Sequence, residues 1–244
     1  PVNSWYHNKE NVAFAGTWYG KRHLERQHDM HTLLRPALDF DLHIFDRHYH
    51  TKSDRYTFPE IYQDNIVGSL DYSQMIKAHK LYKVFLNVNS VKDSRTMFSR
   101  RVYELLASGA NVISSPSVGI VENFDKIVPV VNSEEEAKSY LRLMINNPEY
   151  SERLSVLGVR EVYMKHLYKH RFGELLRTVG IPKKSDSRDI VGITIITCTN
   201  RQEFLENVFN NYDNQKYVDK ELIVVLNKNE MDINVWKEKA KSYE

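Results

Sequence analysis

The chain has 244 residues, of which 41% are hydrophobic and 27% charged, so it holds enough apolar side chains for a folded core and is not a disordered tail. Its 34 basic and 32 acidic residues give a net charge of +2, which argues against a nucleic-acid partner. Its single cysteine, Cys198, excludes an internal disulfide, and no apolar run approaches the roughly 18 residues that span a bilayer. We expect a cytoplasmic protein without a transmembrane segment.

Apolar, β-branched runs alternate with stretches of helical period through the first 179 residues. This alternation predicts an α/β domain with a Rossmann-like, doubly wound parallel sheet. The predicted strands lie at 12–15, 41–45, 66–68, 84–88, 111–114 and 127–131. The predicted helices end before Pro36, begin near Asp71, and cover 98–107, 134–146, 148–165 and 168–179. Residues 48–59 have no clear period and predict a loop.

A polar segment at 180–189 has the composition of a linker, and the α/β pattern restarts after it. Residues 190–244 predict strands at 192–197 and 221–226, with helices at 202–211 and 232–241. Two strands and two helices form a marginal core, so we expect a truncated second domain. The chain begins with Pro1 and stops at Glu244 without a stop signal of its own, which indicates a fragment of a longer protein.

The loop after the first predicted strand is the first candidate binding segment. It contains Gly16, Thr17 and Gly20, followed by Lys21 and Arg22. Glycines let a backbone approach a diphosphate closely, and ligands of open α/β sheets bind beyond the carboxyl ends of the strands. The segment lacks the full GxGxxG pattern, so an ordinary turn with solvated cations stays open.

The second candidate is the polar segment that leads into the helix predicted at 98–107. Its first turn carries Ser99, Arg100 and Arg101, with Glu104 about one turn further on. Cations at a helix N-terminus oppose the macrodipole unless an anion binds there, which favours a phosphate partner. Glu104 could then accept hydrogen bonds from a ribose diol. The alternative is a surface helix with an ion pair between Arg101 and Glu104.

The run FSRRVYELLASGANVIS at 98–114, with GIVE at 119–122, resembles the donor-binding domain of GT-B-type glycosyltransferases. Within them it is most similar to proteins related to spore maturation and coat glycosylation. The resemblance extends from VAFAGT at 12–17 to YKHRF at 168–172. It implies a glycosyltransferase of the hexosyltransferase type that binds a nucleotide-diphosphate sugar without a cofactor in the first domain. The implied acceptor is a glycan, a protein or a component of the cell envelope or spore coat.

The resemblance also assigns residues to the donor site. Retaining members carry an E-x7-E motif, and Glu104 falls on its second glutamate, which holds the nucleotide ribose. Thr96 falls on the first, so the carboxylate that contacts the donor sugar is missing. Other implied donor contacts are Gly16, Thr17, Arg22, Phe98, Ser99, Arg100 and Arg101. The acceptor lobe of such enzymes precedes the donor lobe, so this fragment should bind donor better than it turns over.

The run ITIITCTNR at 193–201 is similar to the opening of family-two, GT-A-type glycosyltransferases, in which the first strand ends in a nucleotide-binding turn. The implied contacts are Thr199, Asn200 and Arg201. The family's acidic pair after the second strand is replaced by Leu226 and Asn227. A divalent metal, Mg or Mn, belongs to the complete form of this domain, where a downstream D-x-D motif would bind it. Within the chain the histidines form no ligand set, and no metal residue is assigned.

The sequence leaves two alternative functions open. A non-catalytic Rossmann-like binding or scaffold module is favoured by Thr96 and by the pair Leu226 and Asn227. A nicotinamide-dependent dehydrogenase is disfavoured because the first loop lacks the glycine fingerprint. The fold by itself does not separate these functions.

Overall fold

A computed structural model describes residues 9–20, 23–51, 54–181 and 192–243. The chain divides into two compact units, Pro1–Glu174 and Leu175–Glu244. Most of the predicted linker at 180–189 lies outside the described residues. The domain boundaries taken from the sequence therefore stay predictions.

The first unit contains a five-stranded sheet in which every neighbouring pair is parallel. Its strands are β1 (Glu10–Gly16), β2 (Leu42–Asp46), β3 (Ile66–Gly68), β4 (Tyr82–Asn87) and β5 (Asn111–Ser114). The spatial order is β3-β2-β1-β4-β5, so the direction of strand addition reverses between β1 and β4. This reversal is the position at which open α/β sheets bind ligands. The predicted α/β fold with a parallel sheet is confirmed.

Helices cover both faces of this sheet because its strands are apolar on both sides. They are α1 (Leu24–Ala37), α2 (Tyr72–Ala78), α3 (Arg101–Ala107), α4 (Val118–Phe124), α5 (Glu134–Asn146) and α6 (Pro148–Lys165). Helix α7 (Tyr168–Thr178) follows them, crosses the boundary between the two units and has no buried residue. Val12 and Phe14 of β1 pack in one cluster with side chains of α1 and α5. Ala13, between them in sequence, packs in a second cluster with side chains of α3, α4 and α6.

The structure corrects three predicted elements. The strand expected at 127–131 is a single bridge between Ser114 and Val130, because Pro129 has no N–H to continue a ladder. Helix α1 includes Pro36 in its last turn and ends one residue later. Helix α3 begins at Arg101, so residues 98–100 precede it instead of forming its first turn. Helix α4 was not predicted.

The second unit contains β6 (Ile193–Thr199), α8 (Leu205–Asp213), β7 (Lys220–Leu226) and α9 (Ile233–Ala240). The two strands are parallel, as their connection through a helix requires. The core consists of Leu205, Phe209, Met231 and Trp236. A short 3-10 turn, Gln202–Phe204, occupies the start of the helix predicted at 202–211. None of the helices in the described part of the chain is long and apolar enough to cross a membrane.

Candidate functional site

A cavity of about 850 Å³ lies beyond the carboxyl ends of β1 and β4 in the first unit. The volume falls within the range of small-molecule sites, roughly 300–1,000 Å³. The cavity lies at the reversal of strand order, where this class of sheet places its ligands. The cavity and the topology therefore indicate the same edge of the sheet.

The residues predicted from two separate segments line this one cavity. They are Gly16, Thr17, Phe98, Ser99, Arg100, Arg101 and Glu104. Thr96, which falls on the first position of the E-x7-E motif, lines it too. Arg22 lies outside the described residues. The structure thus brings the two candidate segments together, although 80 residues separate them in sequence.

Arg101 is the cation that the fold holds in place most firmly. Its guanidinium donates a hydrogen bond to the carbonyl oxygen of Ala15 at the end of β1. Burial lowers the pKa of Arg101, the nearby cations Arg47 and Arg26 lower it further, and Glu104 opposes them. Arg26 and Arg47 therefore lie close enough to Arg101 to disfavour its positive charge. Such a group is stabilised by an anionic ligand.

Two of these arginines were not predicted as site residues. Arg26 of α1 donates hydrogen bonds of 3.0 Å to the carbonyl oxygen of Val88 and to Oγ of Ser90, and lies 5.4 Å from the centre of the Tyr19 ring. Arg47 follows β2, and its backbone N–H donates to the carbonyl oxygen of Gly16 over 3.0 Å. The position after a strand was a signal that could have identified Arg47. Arg26 lies within a helix, and nothing local marks it.

Glu104 is held by a neighbour on the same side of the helix. Nε of Arg100 lies 3.0 Å from Oε1 of Glu104, whereas the sequence suggested a pair with Arg101. The difference arises because Arg101 is directed towards β1. Among the charged lining residues that the structure describes, Arg26, Arg47, Arg100 and Arg101 are basic, whereas Asp71 and Glu104 are acidic. Four minus two leaves an excess of two positive charges.

A network of buried polar side chains fixes the loop after β4. Nδ2 of Asn89 donates to Oγ of Ser114 over 3.0 Å and to the carbonyl oxygen of Ser115 over 2.9 Å. Nδ2 of Asn87 donates to Oδ1 of Asn89 over 3.1 Å. All four residues are buried. Since Val88 and Ser90 are on this loop, the network also places the acceptors that hold Arg26.

The three residues predicted in the second unit lie at the end of β6. Thr199 is the last residue of that strand, and its Oγ1 accepts a hydrogen bond of 3.1 Å from the backbone N–H of Arg201. The Arg201 guanidinium lies 5.2 Å from the centre of the Phe204 ring. Thr199, Asn200 and Arg201 stay predicted nucleotide contacts. Among the described residues, no three His, Cys, Asp or Glu side chains form a possible metal site.

Comparisons with known proteins agree with the fold. The solved structures that are similar to this chain include the following two. Sucrose-phosphate synthase from Thermosynechococcus elongatus matches with 14% identity and a TM-score of 0.51, over 71% of this chain and 46% of that one. TarM from S. aureus, in a complex with Fondaparinux, alpha-GlcNAc-glycerol and UDP, matches with 9% identity and a TM-score of 0.51, over 72% of this chain and 36% of that one.

This chain spans less than half the length of either structure. At such low identity the likeness shows the fold alone, a parallel α/β sheet that resembles one lobe of GT-B glycosyltransferases. No curated protein matches the sequence. The sequence of residues 22–177, more than half of the chain, matches the family described as glycosyl transferase-like. The chain therefore belongs to the glycosyl transferase-like family.

Proposed function

We propose that the first unit binds the nucleoside diphosphate sugar that donates the sugar in a glycosyl transfer reaction. The observation that carries this proposal is the convergence of Arg26, Arg47 and Arg101 on one cavity. The excess of two positive charges in the lining is complementary to a diphosphate, which carries about two negative charges when it is esterified at both ends. The UDP in the TarM complex supports a ligand of the same class.

The arginines supply the chemistry that the transfer step requires. When the bond between the sugar and the diphosphate breaks, negative charge develops on the departing oxygen. Cations already fixed in place stabilise that charge without further reorganisation, and this is commonly the largest contribution to catalysis. The bonds from Arg101 to Ala15 and from Arg26 to Val88 provide such fixed positions.

We assign the remaining parts of the donor to the rest of the lining. Glu104 accepts hydrogen bonds from the ribose diol, and Ser99 and Phe98 contact the phosphate or the sugar, as the resemblance to GT-B enzymes implies. Gly16 and Thr17 lie beside the diphosphate. We further propose transfer of a hexose to a saccharide, protein or cell-envelope acceptor, and a GT-A-like identity for the second unit. The likeness to spore-coat proteins and the divalent metal of a complete second domain stay predictions.

Binding experiments test the donor proposal directly. Isothermal titration of the purified chain with UDP-, GDP-, ADP- and dTDP-sugars should show binding of at least one donor. Glu104→Ala should weaken that binding, whereas Arg95→Ala should not, because Arg95 pairs with Glu122 at 2.7 Å and does not line the cavity. The proposal fails if none of the four donors binds. The assignment of Glu104 fails if Glu104→Ala binds as the unaltered chain does.

A non-catalytic binding module is the second candidate. It is favoured by the position of Thr96, which lines the cavity where the resemblance places a carboxylate. A donor-binding domain should gain about 2.7 kcal/mol of stability at ligand concentrations near one hundred times Kd. Thermal unfolding that no nucleotide sugar shifts would favour the scaffold function instead.

A further inference from the structure

The ion pair between Arg100 and Glu104 places an exposed cation beside the carboxylate that we assign to the ribose diol, on the same cavity wall. The two side chains are 3.0 Å apart, and both line the cavity. The side chain of Arg100 is 72% exposed, whereas that of Glu104 is 26% exposed. Glu104 is therefore held inside the site by a partner that reaches it from solvent.

This arrangement restricts what Glu104 can bind in the empty site. Oε1 of Glu104 accepts a hydrogen bond from Nε of Arg100, so a ribose diol that bonds both carboxylate oxygens must share Oε1 with the guanidinium. An exposed pair of this kind is weak, so a competing anion can draw the arginine away. A diphosphate in the cavity is such an anion.

Arg100 is the arginine that is free to make this exchange. Arg101 is anchored to the carbonyl oxygen of Ala15, and Arg26 is anchored to Val88 and Ser90. Among the described residues, the side chain of Arg100 forms a hydrogen bond with Glu104 alone. Its exposure leaves room for rotation towards either the carboxylate or the cavity.

We propose that Arg100 couples the two halves of the nucleotide site, by releasing Glu104 to the ribose diol only when the diphosphate attracts its guanidinium. This inference rests on the proposed function. Arg100 is then a specificity-determining residue for nucleoside diphosphates over nucleosides. Its effect adds to the direct attraction between the phosphates and the cations of the site. Nucleosides alone must compete with Arg100 for Glu104, whereas diphosphates remove that competitor.

The variant Arg100→Ala separates the attraction of Arg100 for the diphosphate from its competition for Glu104. It should change the affinities for the nucleoside and for the diphosphate in opposite directions. The nucleoside should bind two- to threefold more tightly, since the loss of an exposed ion pair frees Glu104 at little cost. The matching diphosphate should bind about tenfold more weakly, since one charge-assisted hydrogen bond is lost. A purely structural role for Arg100 would move both affinities in the same direction.

The experiment uses UDP, GDP, ADP and dTDP, each with its nucleoside, titrated against the full chain by calorimetry or NMR. Arg95→Ala is the matched control, because it removes an exposed arginine paired with a glutamate outside the cavity lining. It should leave both affinities unchanged. In a Glu104→Gln background the tighter nucleoside binding of Arg100→Ala should disappear. Circular dichroism checks that each variant is folded, and Arg100→Gln serves as a second substitution.

The outcomes distinguish the inference from the function on which it rests. Opposite changes for nucleoside and diphosphate support the coupling. If the unaltered chain binds a diphosphate but Arg100→Ala weakens both ligands, or changes neither, the coupling is wrong and the donor site stands. If the unaltered chain binds none of the four diphosphates, both the coupling and the proposed function are wrong.

Discussion

Replacing Arg101 with methionine should remove anion affinity while leaving the fold nearly as stable as before. Arg101 is partly buried, donates to the carbonyl oxygen of Ala15, and lies within range of Arg26 and Arg47. The substitution removes one hydrogen bond from a charged donor to the buried carbonyl oxygen of Ala15, at a cost of about 1.5–3 kcal/mol. It also removes the charge repulsion by Arg26 and Arg47, which offsets part of that cost. We expect the free energy of unfolding to fall by less than about 2 kcal/mol.

The effect on binding should be much larger. A hydrogen bond from a charged donor contributes about 1.5–3 kcal/mol, which corresponds to a loss of roughly 10- to 100-fold in the affinity for UDP. Calorimetric titration gives the affinity, and urea unfolding gives the stability. Arg160→Met, which replaces an exposed arginine of α6 outside the cavity lining, should change neither. A loss of stability above about 2 kcal/mol with UDP affinity unchanged would refute a ligand-binding role and show that Arg101 is structural.

Four further substitutions test packing, helix propensity, buried hydrogen bonds and a buried histidine in the first unit. Gly119→Ala should destabilise the chain by about 1–3 kcal/mol in thermal unfolding, because a Cβ there would lie 2.7 Å from Cδ1 of Phe98. Gly173→Ala, where a Cβ meets no atom within 4 Å in α7, should instead stabilise it by about 0.5–1 kcal/mol. Asn89→Leu should cost about 2 kcal/mol or more in urea unfolding and weaken UDP binding, since it leaves buried polar partners unpaired. His79 is 1% exposed, and burial together with Arg101 lowers its pKa from 6.5 to about 4. The unfolded chain therefore binds a proton at His79 more tightly than the folded chain does. The contribution of the neutral ring to stability should be fully present above pH 6.5 and fall by about 3 kcal/mol as the pH drops to 4. Urea unfolding across that range should show the decrease in the unaltered chain and a smaller one in His79→Phe.

The strands of the first unit could be predicted because both faces of this sheet are buried. Buried parallel strands are rich in apolar residues, and the run at 111–114 matches β5, whose four residues are all buried. The run at 127–131 has the same composition, yet Pro129 limits it to one bridge. Helix α4 has only seven residues and contains Gly119, a poor helix former. That glycine is required by tertiary contacts with Phe98 and Arg95, which no local pattern shows.

Some residues of the site could be predicted from their own segment of sequence, and others could not. Glycines in a strand-to-helix loop and the arginines before Glu104 are contiguous in sequence, so each segment could be recognised separately. Arg26 and Arg47 belong to the site only because the fold brings them there. Gly16 is paired in register with Asp46, which places the residue after β2 beside the loop after β1. Arg26 is held over the end of β4 by its bonds to Val88 and Ser90.

The non-local arginines are also the ones on which the anion site depends. Arg100 and Arg101 are the two cations of the described lining that could be predicted from the sequence. With these two alone, the lining would carry two positive and two negative charges and would be neutral. Arg26 and Arg47 supply the excess that matches a diphosphate. The charge that supports a donor site in this unit is therefore a property of the strand order, which places the ends of β1, β2 and β4 side by side.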